Sequence, residues 1–286
     1  MKIPYNVFGL DIAHDELVKI SQQEYTIQEE HGDNIAGVLN MLNSGLAISS
    51  ADSQKVTNCV AEMGITIDEA LALNILSETS HFVREYMLTG DVQESAKQIY
   101  RDLQQKLQAR AIPYETVRRV NKLLTQLDYT RPLAALINDS WDKISPRVTD
   151  MTAKASICTA IKEMKMCLNT PETCSSIMAV LQRTVNKQAR IVYRGDKKPP
   201  KGSVIQYNKM LSTSATMDAS FAKYDAFNYK YILFVPEGVH CMDISRVSGY
   251  SDTEKEVLFP PCNIHILHQQ PTINKTVVYG LIQNKQ

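Results

Sequence analysis

Three short segments in the C-terminal third of the chain carry side chains able to do chemistry: Val192-Tyr193-Arg194-Gly195, Ser212-Thr213-Ser214 and Glu254-Lys255-Glu256-Val257-Leu258-Phe259-Pro260-Pro261. Each reads as a β-strand or a strand end. Together they supply a guanidinium, a hydroxyl cluster and a carboxylate pair. An arginine fork can hold a pyrophosphate. Hydroxyls can orient a carboxylate, and a carboxylate can stabilise a sugar cation as its leaving group departs. In this order the set suits chemistry on a dinucleotide. Residues two apart on a strand share a face, so Glu254 and Glu256 are expected to address one ligand. Their proximity is expected to raise the pKa of one of them. Singly, each segment has a bland reading: a surface ion-pair partner, a strand edge, a solvated strand end.

The elements that must position these residues divide along the chain. The first two-thirds read as successive helices, around Asp15–Glu30 and Asp33–Asn43, then from Asp68 through Tyr86, with Asp68 as N-cap and Gly90 as stop. Asp91 is expected to cap a further helix reaching Ala111. After Pro113 the pattern predicts helices over Tyr114–Leu127, Arg131–Lys143, Asp150–Leu168 and Glu172–Asn186. The period then changes. Ala189–Tyr193, Tyr231–Val235, Gly238–Ile244, Glu256–Phe259, Asn263–His268 and Thr276–Gln283 read as strands. Helices first and strands last predict an α+β fold.

These strand segments resemble the mono-ADP-ribosyltransferases of the arginine–serine–glutamate class, of the bacterial toxin and effector type. Tyr129-Thr130 with Ile137-Asn138 resembles the helix that precedes the family's first catalytic strand. Asp243-Ile244-Ser245 with Ser248 resembles the strand leading into its substrate-recognition loop. The resemblance covers about residues 115–286 and leaves the front of the chain open. It implies a helical N-terminal domain over residues 1–112, for target recognition or regulation. A split β-sandwich ADP-ribosyltransferase domain with preceding helices would follow over 113–286.

It also implies roles. Arg194 would hold the nicotinamide-side phosphate of NAD, the substrate, with Gly195 close to the nicotinamide amide. Ser212 would hydrogen-bond to Glu256, the catalytic glutamate, which would bind the 2′-hydroxyl of the nicotinamide ribose, while Thr213 and Ser214 shape the strand beside it. Phe221 would pack on nicotinamide. Glu254 would position the acceptor, and Tyr250 would help to choose it. The implied reaction transfers ADP-ribose to a protein side chain, arginine first and a hydroxyl such as threonine second. An NAD glycohydrolase and an inert interaction protein are the alternatives. Departures from the family pattern include Cys241 where glycine is frequent, Met210-Leu211 ahead of the hydroxyls, and Arg131-Pro132 after Thr130. None of these removes a reacting group.

Composition narrows the rest. The 31 basic and 31 acidic side chains cancel, but residues 1–112 hold 8 basic and 16 acidic, leaving 23 and 15 behind them. A basic back half favours an anionic ligand. Lys197, Lys198 and Lys201 cluster with Pro199, Pro200 and Gly202 in one expected loop, so nucleic acid is not the expected partner. The six cysteines lack metal-ligand spacing, and no metal is expected. No apolar run suits a membrane span, and no signal peptide is read at the amino terminus. The expected setting is a secreted effector acting in a host cytoplasm, or otherwise a cytoplasmic enzyme.

Overall fold

The computed structural model describes residues 33–217, 227–249 and 255–285. Eight α-helices are described: α1 (Ala36–Asn43), α2 (Ser50–Met63), α3 (Ile67–Thr89), α4 (Gln93–Gln108), α5 (Tyr114–Gln126), α6 (Leu133–Ile144), α7 (Met151–Leu168) and α8 (Thr170–Arg183). The helix expected over Asp15–Glu30 lies outside the described residues. The cap of α3 is Thr66, two residues before the expected Asp68. Thr66 accepts from the Glu69 amide at 3.2 Å, and the Glu69 carboxylate accepts from the Thr66 amide at 2.7 Å. This reciprocal pair satisfies two donors that a helix start leaves open. Gly90 ends α3 in the left-handed region, at φ 81°, where a side chain would be strained. Helix α2 was not foreseen from its apolar spacing. Its ends were legible, since the Ser49 side chain accepts from the Asp52 amide and Gly64 stops it at φ 67°.

Eight strands follow: β1 (Arg190–Asp196), β2 (Val204–Tyr207), β3 (Leu211–Ser214), β4 (Tyr229–Val235), β5 (Met242–Asp243), β6 (Glu256–Phe259), β7 (Cys262–Pro271) and β8 (Thr276–Asn284). Their order is β2-β7-β8-β4-β1-β3-β6-β5. Only β4 and β8 run parallel among these pairs. The sheet is nearly severed in its middle. β1 pairs with β4 over its whole length, and β3 pairs with β6 over its whole length. Between β1 and β3 a single pair is made, Tyr193 with Ser214. The next residue of β1 is Arg194.

Alternation along the strands sorts side chains into two faces. Val192, Leu211, Tyr231, Leu233, Val257 and Phe259 are buried in the main sheet core. On the opposite face of β6, Leu258 packs into a cluster with Leu73 and Leu76 of α3 and Ile177 and Leu181 of α8. A second helical cluster joins Phe82 of α3 and Leu103 and Leu107 of α4 to Val117, Leu124, Leu136, Ile157 and Met164 of α5–α7. Residues on both sides of position 112 contribute to this cluster. Trp141 packs at its edge, with the Lys154 ammonium 4.4 Å from the ring centroid. Among the described residues, no helix is long and apolar enough to cross a membrane.

Candidate active site

The β3–β6 register places Ser214 opposite Glu256 and Ser212 opposite Leu258. Directly paired residues project to one side of an antiparallel ladder, so Ser212, Ser214 and Glu256 share the face turned toward α3. There a cavity of about 290 Å³ opens between strand and helix. Ser212, Glu256 and Leu258 form one wall, with Lys209 and Met210 just before β3. Leu76, Ser77, Ser80, Val83, Arg84 and Met87, one stripe of α3, form the other. The volume sits at the lower end of the roughly 300–1,000 Å³ typical of small-molecule sites, enough for part of a dinucleotide.

The three hydroxyls of Ser212-Thr213-Ser214 have separate tasks. Thr213 donates to the Val257 carbonyl at 2.8 Å, tying β3 to β6. Ser214 donates to the Thr216 carbonyl at 3.0 Å and accepts from the Thr216 amide at 3.2 Å, closing the turn after β3. Both are buried, whereas Ser212 is exposed to the cavity. Ser212 and Glu256 both line the cavity. Ser212 lies diagonal to Glu256 across the antiparallel pair, a separation that a long side chain can span. A ligand group between them can be held by both.

Glu256 is 7% exposed, a carboxylate set into the cavity wall. Its strand begins with it. Lys255, directly before, has φ 45°, a left-handed conformation that is uncommon outside glycine. The Lys255 carbonyl accepts from the Ala215 amide at 2.8 Å. The Lys255 backbone is thus not extended, and the strand starts at Glu256. Glu254, Tyr250 and Phe221 themselves lie outside the described residues.

Arg194 approaches from the other face, opposite Tyr231, and does not line the cavity. It reaches the site through the gap between β1 and β3, where its Nη1 donates to the Ser212 carbonyl at 2.6 Å. Its guanidinium lies 5.7 Å from the Tyr207 ring centroid, a cation–π distance. Nε is buried and unpartnered among the described residues. Because Nη1 is committed, the Nε–Nη2 edge is the fork left for an anion. Gly195, next along, carries the Phe227 ring against its backbone. A Cβ there would sit 2.2 Å from the ring. Phe227 was not singled out from sequence, and it occupies a place that only a glycine neighbour permits.

Two more cations were missed: Arg84 and Lys209. Burial pushes the Lys209 ammonium below its usual pKa, and the nearby Arg84 and Arg194 charges push it further, against a smaller opposing pull from Asp196. Arg84 and Lys209 line the cavity and Arg194 lies near Lys209, so positive charge gathers on this side of it. Arg84 belongs to the segment the family resemblance left uncovered. Conversely, Tyr129 and Ile137 pack in the second helical cluster and do not reach the cavity. The helix that walls the site is α3, and α7 and α8 intervene between α6 and β1. Among the described residues, no group of three or more His, Cys, Asp or Glu side chains could hold a metal ion.

No protein-family model matches the chain, and no curated protein matches it. Several solved structures are similar in part. One is C3stau2 from S. aureus with NAD, at 14% identity over 41% of this chain and 73% of that one, with a TM-score of 0.34. Another is Plx2a, an ADP-ribosyltransferase toxin from Paenibacillus larvae, at 15% identity over 68% and 95%, also with a TM-score of 0.34. A third is the Clostridium limosum C3 exoenzyme, at 14% identity over 59% and 94%, again 0.34. At such scores the likeness adds no weight of its own. The functional reading rests on the residues around the cavity.

Proposed function

We propose that this chain binds NAD in the cavity and along the adjoining β1–β3 gap, and transfers ADP-ribose to a protein side chain with release of nicotinamide. The observation that carries the reading is the convergence of Ser212 and Glu256 on one cavity, with an uncommitted edge of Arg194 at its border. Arg194 takes the nicotinamide-side phosphate on its Nε–Nη2 edge. Lys209 and Arg84 take the remaining negative charge of the diphosphate. Gly195 lies close to the nicotinamide amide, and the Phe227 ring packs against its backbone on the face shared by Ser214 and Glu256. Thr213 and Ser214 hold β3 in register so that Ser212 faces the ligand.

In the reaction the bond between the ribose C1′ and the nicotinamide nitrogen breaks, and the electron pair leaves with nicotinamide. Positive charge develops on the ribose ring. The Glu256 carboxylate, bound to the 2′-hydroxyl, stabilises that charge, and a preorganised group of this kind is worth about 3–4 kcal/mol. An acceptor nitrogen then forms the new bond to C1′ and gives up a proton, for which Glu254 is the assigned base. Arginine is the proposed acceptor, with a hydroxyl such as threonine second. Tyr250 contributes to acceptor choice, and Phe221 to holding nicotinamide. A target protein in a host cytoplasm reached by secretion is the proposed setting, with residues 1–112 aiding target recognition or regulation.

The test incubates purified protein with labelled NAD and a cell lysate, measuring nicotinamide release and label on protein together. The reading expects both, and expects Glu256→Ala to abolish both while the fold survives. Nicotinamide release without labelled protein selects the glycohydrolase instead. No NAD consumption under any condition leaves the inert interaction protein and overturns the proposal.

A further inference from the structure

Asn74 lies near the middle of α3 and is 1% exposed, at a position where a helix facing a core ordinarily carries an aliphatic residue. A buried amide is tolerated when its hydrogen bonds are made, and such groups then fix a single arrangement of their partners. Its partners come from two distant segments, helix α1 and the chain around Val247. Nδ2 donates to the Ala36 carbonyl at 3.2 Å and to the Val247 carbonyl at 2.9 Å. Oδ1 accepts from Asn43 Nδ2 at 2.8 Å, and that same amide donates to the Leu71 carbonyl at 3.3 Å.

Val247 belongs to a tight turn, Ile244–Gly249, that the helices hold from several sides. The Ile35 amide donates to the Arg246 carbonyl at 3.0 Å. The Arg246 side chain donates to the Asp33 carbonyl at 3.2 Å and to the Glu62 carboxylate at 2.9 Å. Ile244 and Val247 are wholly buried among the helices. Gly249 lies so close to α3 that a Cβ would come within 3.3 Å of Ser77 Oγ. On its other side the turn is joined to the candidate carboxylate. The Ile244 amide donates to the Glu256 carbonyl at 3.0 Å, and Asp243 pairs with Val257. Leu76 and Ser77, two and three residues after Asn74, are cavity wall.

We infer that Asn74 is a positioning residue: its amide ties the turn Ile244–Gly249 to α3 and so sets the distance between Glu256 and the helical wall of the cavity. The inference rests on the proposed NAD chemistry at Glu256. It also gives residues before 113 a task inside the site, besides any role in target choice. Misplacement of a reacting group by about 1 Å can cost about 100-fold in rate, so the effect belongs in kcat.

The test uses the full chain with Asn74→Leu, which keeps an apolar helix former at the site and removes all three bonds. Asn43→Ala, at the half-buried edge, removes the bond that orients the Asn74 amide, together with the one to the Leu71 carbonyl, and leaves both Asn74 donor bonds in place. Both are measured for NAD turnover, for thermal unfolding and for hydrogen exchange in residues 244–249. The expected result for Asn74→Leu is a loss in kcat of about 10- to 100-fold, with KM for NAD changed by less than about threefold and faster exchange in the turn. Asn43→Ala should show a smaller loss of the same kind. Should Asn74→Leu fail to fold, Asn43→Ala decides alone. Wild-type kcat in a folded variant whose turn exchanges faster overturns the positioning role, as does unchanged exchange. An inactive wild-type chain overturns the underlying NAD reading, and this inference with it.

Discussion

Gly195→Ala should destabilise the protein through one ring. The added Cβ would lie 2.2, 2.8 and 3.0 Å from three atoms of Phe227. To restore an ordinary contact of 3.4 Å, the nearest of them must retreat by about 1.2 Å. The strand has little freedom to yield instead, because Gly195 lies within the β1–β4 ladder, opposite Lys230. Its backbone is not in the left-handed region, so alanine brings no strain of its own. Alanine alone should even stabilise by about 0.4–1 kcal/mol, through a less free unfolded chain. Overpacking costs about 1–3 kcal/mol. The net expectation is a loss of about 1–2 kcal/mol and a Tm lower by a few degrees for a chain of this length. Phe227→Ala removes the obstacle, so in that background Gly195→Ala should become neutral or stabilising. A double-mutant cycle by urea unfolding should then return a coupling of about 1–3 kcal/mol. Equal damage in both backgrounds would falsify the ring contact and place the cost in the backbone.

Arg194→Lys keeps the charge but offers a single ammonium where the Ser212 carbonyl and a phosphate both need donors. NAD turnover should fall about 10- to 100-fold, as expected when charged hydrogen bonds are lost; wild-type kinetics would show that the fork is not used. Glu69→Gln should cost about 1 kcal/mol near neutral pH, since the Arg183 guanidinium is half in solvent, while glutamine preserves the reciprocal cap with Thr66. Hydrogen bonding from Arg183 holds the Glu69 carboxyl below its ordinary value of 4.5. The wild-type advantage should therefore be full above that value and vanish as pH falls through the depressed one; an advantage that persists in strong acid would contradict the assignment. Thiol labelling of the folded protein should mark Cys158, which is half-buried, well before the other five, all of which are buried. Burial pushes the Cys262 thiol up to about 12, and rapid alkylation there at pH 8 would count against its place in the sheet core.

Much of the site was readable because strands expose their logic in short stretches. Arg194, Ser212 and Glu256 sit on or beside segments whose apolar content marks them as strands, and their register follows from which neighbours are buried. The expected start of α3 is Asp68, although Thr66 and Glu69 stand at the three-residue spacing that a reciprocal cap requires. The far wall was not readable. Leu76, Ser80, Val83, Arg84 and Met87 form a visible stripe on α3, but nothing local says that the stripe faces β3 and β6. Lys209 was hidden for the same reason, since its neighbours Arg84 and Arg194 are far from it in sequence. Asn74 is one polar residue in an apolar stretch of helix, and its partners at Ala36, Asn43 and Val247 are far from it in sequence. Lys255, directly before Glu256, has a left-handed backbone that the Glu-x-Glu spacing does not announce.

A sheet whose two plates meet at one rung, Tyr193 with Ser214, is weakest along that line. Anything gripping both plates acts as a rivet. A dinucleotide held by Arg194 on one plate and by Ser212 and Glu256 on the other would do so, and mass action then raises the melting point with its concentration, by about 2.7 kcal/mol of added stability at a hundred times Kd. The same line is where a protease or a denaturant would first pry the empty protein apart.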